Sequence, residues 1–301
     1  MTAMTSVRAL ILASVVICGC HSGPHPAAGA AAPAVPAAWP HPLNVPDVSA
    51  AHGIVVTDAP LASRVGATVL RNGGSAVDAA VATAFALAVT LPSAGNVGGG
   101  GFAVMSVDGQ TRALDFRETA PAAASRNMFL DEHGAATDRS ITGHLAVGVP
   151  GSVAGLWALH QKLGTKPWAE LVAPAIDLAE KGFPVDADFS SSVGDEAARL
   201  AKFPASTLLF LPGGMKPAEG STWKDPDLVR VLRRIASDGR DGFYTGDTAG
   251  LIVDEMKKGS GIITREDLER YQPRWRDPVA FTARSSSPRR GTRCRTSSTT
   301  A

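Results

Sequence analysis

Cysteine is nearly absent from this chain: Cys18, Cys20 and Cys294 are the whole supply, and none falls between residues 21 and 293. That removes a disulfide framework and a cysteine-based metal site from the body of the protein. Histidine offers no substitute, because His144 and His160 stand too far apart in sequence to read as a ligand set and are expected as satisfied or exposed side chains. No metal and no other cofactor is expected. An excess of positive charge is missing too. The net charge is +1, yet six of the 29 basic residues and none of the 28 acidic ones lie outside residues 21–283, so that span carries −5. A mildly acidic body argues against nucleic acid as a partner. What remains, 45% hydrophobic and 19% charged residues, is the composition of an ordinary globular protein.

The apolar run at residues 9–19 is too short to cross a bilayer as a stable helix. With Arg8 before it, residues 1–20 read as an export signal. Its end, Ile17-Cys18-Gly19-Cys20, resembles a bacterial lipobox, which would make Cys20 a lipidated N-terminus. Simple secretion after cleavage near the same point is the other reading. Either way the protein is expected to be exported, and a membrane would be held through acyl chains. Residues 21–50 follow as a linker. From Pro24 to Pro46 there are seven prolines and eight alanines with no acidic or basic side chain, a composition that gives an extended, semi-stiff spacer.

The folded body is expected over residues 51–283. The β-branched run at residues 53–57 predicts a strand. Helical spacing follows at residues 60–72, stopped by Gly73-Gly74. Ser75 and Asp78 then form a near match to a capping box for a helix over residues 76–89. This helix is apolar nearly all round and therefore belongs in a core. Asp78 is read as serving that helix start rather than catalysis. Residues 102–107 and 111–116 flank Asp108-Gly109-Gln110, a hairpin signature. Helices are predicted at 152–163, 167–181, 186–200, 225–237, 248–257 and 265–271, the last capped by Thr264. Residues 208–219 read as turns around Pro212-Gly213-Gly214. Residues 284–301 hold five Arg, five Ser and four Thr and no Val, Leu, Ile, Phe or Met, and are expected to be disordered. They read either as a basic tail for anionic surfaces or as out-of-frame translation.

Candidate chemistry sits between the apolar helix and the hairpin. In Pro92-Ser93-Ala94-Gly95-Asn96-Val97-Gly98-Gly99-Gly100-Gly101-Phe102, four consecutive glycines expose backbone to close approach. This is either a tight turn between buried elements or a backbone surface lining a site. Arg117, at the end of the returning strand, reads either as a surface ion pair with Glu118 or Asp115, or as an anion clamp beside the glycines. A planar guanidinium suits a carboxylate through two parallel charge-assisted bonds, a fork that lysine cannot reproduce.

Three blocks in order, Gly73-Gly74-Ser75-Ala76-Val77-Asp78-Ala79-Ala80-Val81-Ala82, then Gly95 through Phe102, then Asp115-Phe116-Arg117-Glu118-Thr119-Ala120-Pro121, resemble the gamma-glutamyltransferases, also called glutathione hydrolases. The likeness continues through Gly148-Val149-Pro150-Gly151-Ser152-Val153 to about Asp277-Pro278 and corresponds to the family's large subunit. The resemblance implies an α+β fold, the four-layer αββα sandwich of the N-terminal-nucleophile hydrolases, here incomplete. It also implies a precursor that cuts itself once, with a threonine at the new N-terminus as nucleophile and its own amine as base. That threonine and the small subunit are not expected in this chain, which would then be inactive alone, so the catalytic residues here are none. Glutathione or another gamma-glutamyl compound is the implied substrate, water or an amino acid the acceptor. In the resembled family the arginine of the third motif, Arg117 here, binds the substrate's α-carboxylate. Two alternatives stay open: a cephalosporin acylase or capsule-transpeptidase relative of the same fold, and a non-catalytic exported protein that binds acidic amino acids.

Overall fold

A computed structural model describes residues 48–281. The export signal, the lipidation expected at Cys20, nearly all of the linker and the basic tail lie outside the described residues. Contacts within the chain separate residues 1–49 from residues 50–301, and the description concerns the second unit.

The polypeptide enters α1 (Pro60–Arg71) with proline in the first turn, where its missing N–H costs nothing. The helix ends at Asn72, and Gly73 follows at φ +77°. Ser75 then starts α2 (Ala76–Thr90) with a complete capping box: its hydroxyl accepts from the Asp78 amide and its own amide donates to the Asp78 carboxylate. Eleven of the fifteen residues of α2 are buried, which is why the sequence could dispense with a polar face.

Strands β1 (Phe102–Val107) and β2 (Gln110–Asp115) form an antiparallel hairpin, Phe102 opposite Asp115 and Val107 opposite Gln110. The loop is the two residues Asp108 and Gly109, both at positive φ, the geometry that matches strand twist in a tight hairpin. Next come α3 (Ser152–Leu163) and α4 (Trp168–Lys181), then β3 (Phe183–Pro184). Pro167 takes the cap position of α4 rather than its first turn, and Pro174 lies inside the helix. Helices α5 (Ala187–Asp195), α6 (Ala197–Leu200) and α7 (Pro204–Phe210) follow, then β4 (Thr222–Trp223), which pairs with β3. The chain closes with α8 (Pro226–Asp238), α9 (Asp241–Tyr244), α10 (Gly246–Lys258), α11 (Arg265–Arg270) and β5 (Arg274–Arg276). Strand β5 returns to β2, giving a three-stranded sheet in the order β1-β2-β5.

Helix and antiparallel sheet are thus segregated, as an α+β fold requires. One face of the sheet, carrying Ala103, Met105, Leu114 and Trp275, packs into the core. The opposite face presents Phe102 and Val104 to solvent, 58% and 42% exposed. At the centre of the core are Val81, Phe85 and Val89 of α2, Val153 of α3, Leu171 and Val172 of α4, and Leu232 and Ile235 of α8, all essentially inaccessible. Trp168 sits edge-on to Phe85 and donates its indole N–H to the Ile235 carbonyl at 2.7 Å, fastening α4 to α8.

Three expectations need correction. Residues 53–57 form no strand: no partner strand lies beside them among the described residues, and Val55 instead packs where Gly66 leaves room on α1. β-Branching favours a strand only where a neighbour supplies the ladder. The helix expected over 186–200 breaks at Glu196, whose φ and ψ of −97° and 2° end α5 and begin α6. The turn region expected from residue 208 starts later, because Pro204 opens α7; the turn at Pro212–Gly214 does form.

Candidate functional site

The glycine strip is held on both sides by backbone. After α2, the Leu91 carbonyl accepts from Ala94 and Gly95, turning the chain back on itself. The Gly99 carbonyl accepts the amides of Gly151 and Ser152 at 2.6 and 2.9 Å, so the start of α3 spends two otherwise unpaired donors on the strip. Gly101 exchanges two hydrogen bonds with Phe116, extending the β1–β2 ladder one residue beyond the strands. Close approach explains the residue type at two positions. A Cβ on Gly100 would lie 2.5 Å from the Phe116 carbonyl oxygen and 2.9 Å from the Arg117 carbonyl carbon, and one on Gly151 would lie 2.0 Å from that Phe116 oxygen. The glycines therefore serve as a floor pressed against residues 116–118, more than a bare connection.

Arg117 leaves this floor two residues past the end of β2. Its amide donates to Asp115 Oδ1 at 3.1 Å and its carbonyl accepts from the Tyr271 hydroxyl at 2.8 Å. The side chain is 57% exposed, with Nε 3.3 Å from Glu118 Oε2 and the guanidinium 6.0 Å from the centre of the Phe102 ring. Of the two ion-pair partners the sequence offered, Glu118 is the one beside Arg117. Asp115 is occupied by Arg276, which reaches Oδ2 with two guanidinium nitrogens at 2.6 and 2.8 Å. Burial favours the protonated form of Asp115, but the Arg117 amide and the Arg276 guanidinium outweigh it and hold the carboxyl below its usual range.

These residues surround a cavity of about 150 Å³ lined by Asp115, Arg117, Glu118, Tyr271, Arg274 and Arg276 among others. Three guanidinium groups against two carboxylates make it a fitting place for a small anion. Glu118 Oε2 is shielded from solvent and makes no hydrogen bond among the described residues; its charge partner there is Arg117 Nε. Tyr271, Arg274 and Arg276 were not singled out by sequence reasoning. They lie more than 150 residues beyond Arg117, at the C-terminal cap of α11 and on β5. The available signal was scarcity: the chain has two tyrosines, and Tyr244 and Tyr271 stack on each other at 5.8 Å.

The remaining candidates resolve as structural. Asp78 is fully buried and accepts from the Ser75 amide, the Thr165 amide and the Thr165 hydroxyl, at 2.8, 2.9 and 2.5 Å. His144 Nε2 lies 3.1 Å from Glu255, and His160 Nε2 lies 2.8 Å from the Lys166 carbonyl.

The sequence model of the family described as gamma-glutamyltranspeptidase matches residues 62–291, reaching beyond the Asp277-Pro278 where the motif likeness ends. The glutathione hydrolase proenzyme of Pseudomonas aeruginosa is 46% identical over 228 residues, 75% of this chain and 40% of that protein. The structure of the Helicobacter pylori gamma-glutamyltranspeptidase superposes with a TM-score of 0.78 at 45% identity, over 79% of this chain and 69% of that one. The gamma-glutamyltranspeptidase of Pseudomonas nitroreducens, complexed with L-DON, gives 0.73 at 43%, over 79% and 70%. The chain spans about two-fifths of the length of its Pseudomonas aeruginosa relative. With motifs, fold and three-quarters of its length in agreement, the chain belongs to the gamma-glutamyltranspeptidase family.

Proposed function

We propose that this chain is the substrate-holding portion of an enzyme that cleaves gamma-glutamyl amides such as glutathione. The glutamyl group passes through an acyl-enzyme on a threonine, supplied by a C-terminal portion, to water or an amino acid. The observation that carries the reading is Arg117: an exposed guanidinium on a backbone fixed at both its amide and its carbonyl, beside a cavity rich in arginine. Such a group grips an α-carboxylate and thereby sets the scissile carbonyl in register with the nucleophile. The Pseudomonas aeruginosa relative bears the name glutathione hydrolase proenzyme, which supports a precursor in two parts. The acylase alternative has no feature of this site in its favour, and the binding-protein alternative leaves the proenzyme relatives unexplained.

The test uses a precursor in which residues 51–278 replace the matching portion of the Pseudomonas aeruginosa protein. Glutamate release from glutathione is the expected activity. Arg117→Lys should lower kcat/KM about 100-fold, since a charged hydrogen-bond pair is replaced by a point charge. Self-cleavage of the precursor should persist. Kinetics unchanged by that substitution would remove Arg117 from the site.

Export with lipidation at Cys20 is part of the same reading, on the strength of Ile17-Cys18-Gly19-Cys20 and the uncharged proline-rich spacer behind it. Metabolic palmitate labelling is the check, and absence of label from the full chain would leave simple secretion.

A further inference from the structure

The Arg117 side chain is long, so small rotations at its Cα move the guanidinium far; whatever fixes residue 117 fixes the aim of the clamp. Both polar groups of that residue are engaged. Asp115 holds the amide and Tyr271 the carbonyl, while Gly101–Phe116 and Thr119–Val149 backbone pairs flank them. Asp115 belongs to the same strand end. Tyr271 lies 154 residues beyond Arg117 in the chain and is itself braced by two residues.

Its ring lies parallel to that of Tyr244, at 11° between planes. The Tyr244 hydroxyl donates to the Pro150 carbonyl at 2.7 Å and accepts from the Ala154 amide at 3.3 Å. The Arg240 guanidinium lies 4.7 Å over the Tyr244 ring and donates to the carbonyls of Glu269 and Tyr271 at 2.7 and 3.0 Å. Gly151 opens the space for the hydroxyl, since a Cβ there would lie 2.2 Å from Tyr271 Oη. Burial, reinforced by the charges of Asp115 and Glu118, pushes the Tyr271 phenol up to about 12, so it remains a donor throughout the neutral range.

We infer that Tyr271, braced by Tyr244 and Arg240, is a positioning residue that sets the direction in which Arg117 presents its guanidinium to a substrate carboxylate. The inference rests on the proposed role of Arg117. Tyr271→Phe keeps the stacked ring and deletes the one hydrogen bond.

In the joined precursor, Tyr271→Phe should raise KM for gamma-glutamyl-p-nitroanilide about tenfold with kcat nearly unchanged, the size expected for one lost hydrogen bond. Turnover of 4-aminobutanoyl-p-nitroanilide, which lacks the α-carboxylate, should not respond. Equal losses on both substrates, or none on either, overturn the inference. Arg117→Lys run beside it separates the two ideas: if lysine weakens only the carboxylate-bearing substrate and phenylalanine at 271 does nothing, Tyr271 alone is misassigned. If lysine at 117 fails to discriminate, the reading of Arg117 falls first. A second measurement needs no substrate. In the 301-residue chain, the Arg117 Nε–H resonance should shift in Tyr271→Phe, and an unaltered resonance in a variant of unchanged melting temperature overturns the inference.

Discussion

Asp78 is a charge placed where the side chain has no access to water, and its neighbours explain why it stays charged. Burial alone would raise its pKa, but hydrogen bonds from the Thr165 hydroxyl and amide and from Ser75 prevail and hold it at about 2. Because the folded value lies below the ordinary 3.8, the carboxylate stabilises the fold at pH values above about 4. That contribution fades as pH falls toward 2, and its full size is about 2 kcal/mol. Asp78→Asn should therefore cost about 1–3 kcal/mol in urea unfolding at pH 7 and much less at pH 2 to 3. Equal losses at both pH values would mean that shape rather than charge matters there. Half of this residue was legible in advance: Ser75 and Asp78, three apart, announce a helix cap. The other half was not, because Thr165 lies 87 residues away and nothing in a local pattern points to it.

Among elements, the glycine strip is the one whose substitutions should separate folding from function. Gly100→Ala places a methyl group against the Phe116 carbonyl and the Arg117 backbone, neither of which is the flexible end of a side chain. The expected result is a displaced residue 117: kcat/KM on glutathione in the joined precursor should fall at least about tenfold, while unfolding shifts by about 1–3 kcal/mol, a typical overpacking cost. Gly98, where a Cβ meets nothing within 4 Å, is the matched control and should accept alanine. A Gly100→Ala protein that performs like the Gly98 variant would refute the floor. The helices were readable because burial on one face, or on all faces in α2, leaves a period in the sequence. Strand β5 and the short pair β3–β4 left none: two or three residues are too few for a period, and pairing is decided by distant partners. Residues 53–57 failed in the opposite sense, with strand-like composition but no neighbouring ladder.

At the scale of the whole molecule, one face of the sheet packs into the core, while the other, among the described residues, leaves Phe102 and Val104 exposed. Phe102 lies beside Arg117 on this face, with Val104 two residues along the strand. An apolar sheet face of this kind drives association unless something covers it. The double variant Phe102→Ser, Val104→Thr should scatter less light than the parent chain at equal concentration, with a core unfolding transition altered by less than about 1 kcal/mol, as for surface changes generally. Undiminished scattering would locate the sticky surface elsewhere. The hydroxyl that steadies Arg117 reaches it across 154 residues of chain. During synthesis, then, the early helices and the hairpin emerge from the ribosome well before the clamp can be aimed. A nascent chain stopped short of residue 271 would carry every motif of the glycine strip and still lack a finished grip, so a stretch translated later decides when the earlier one becomes competent.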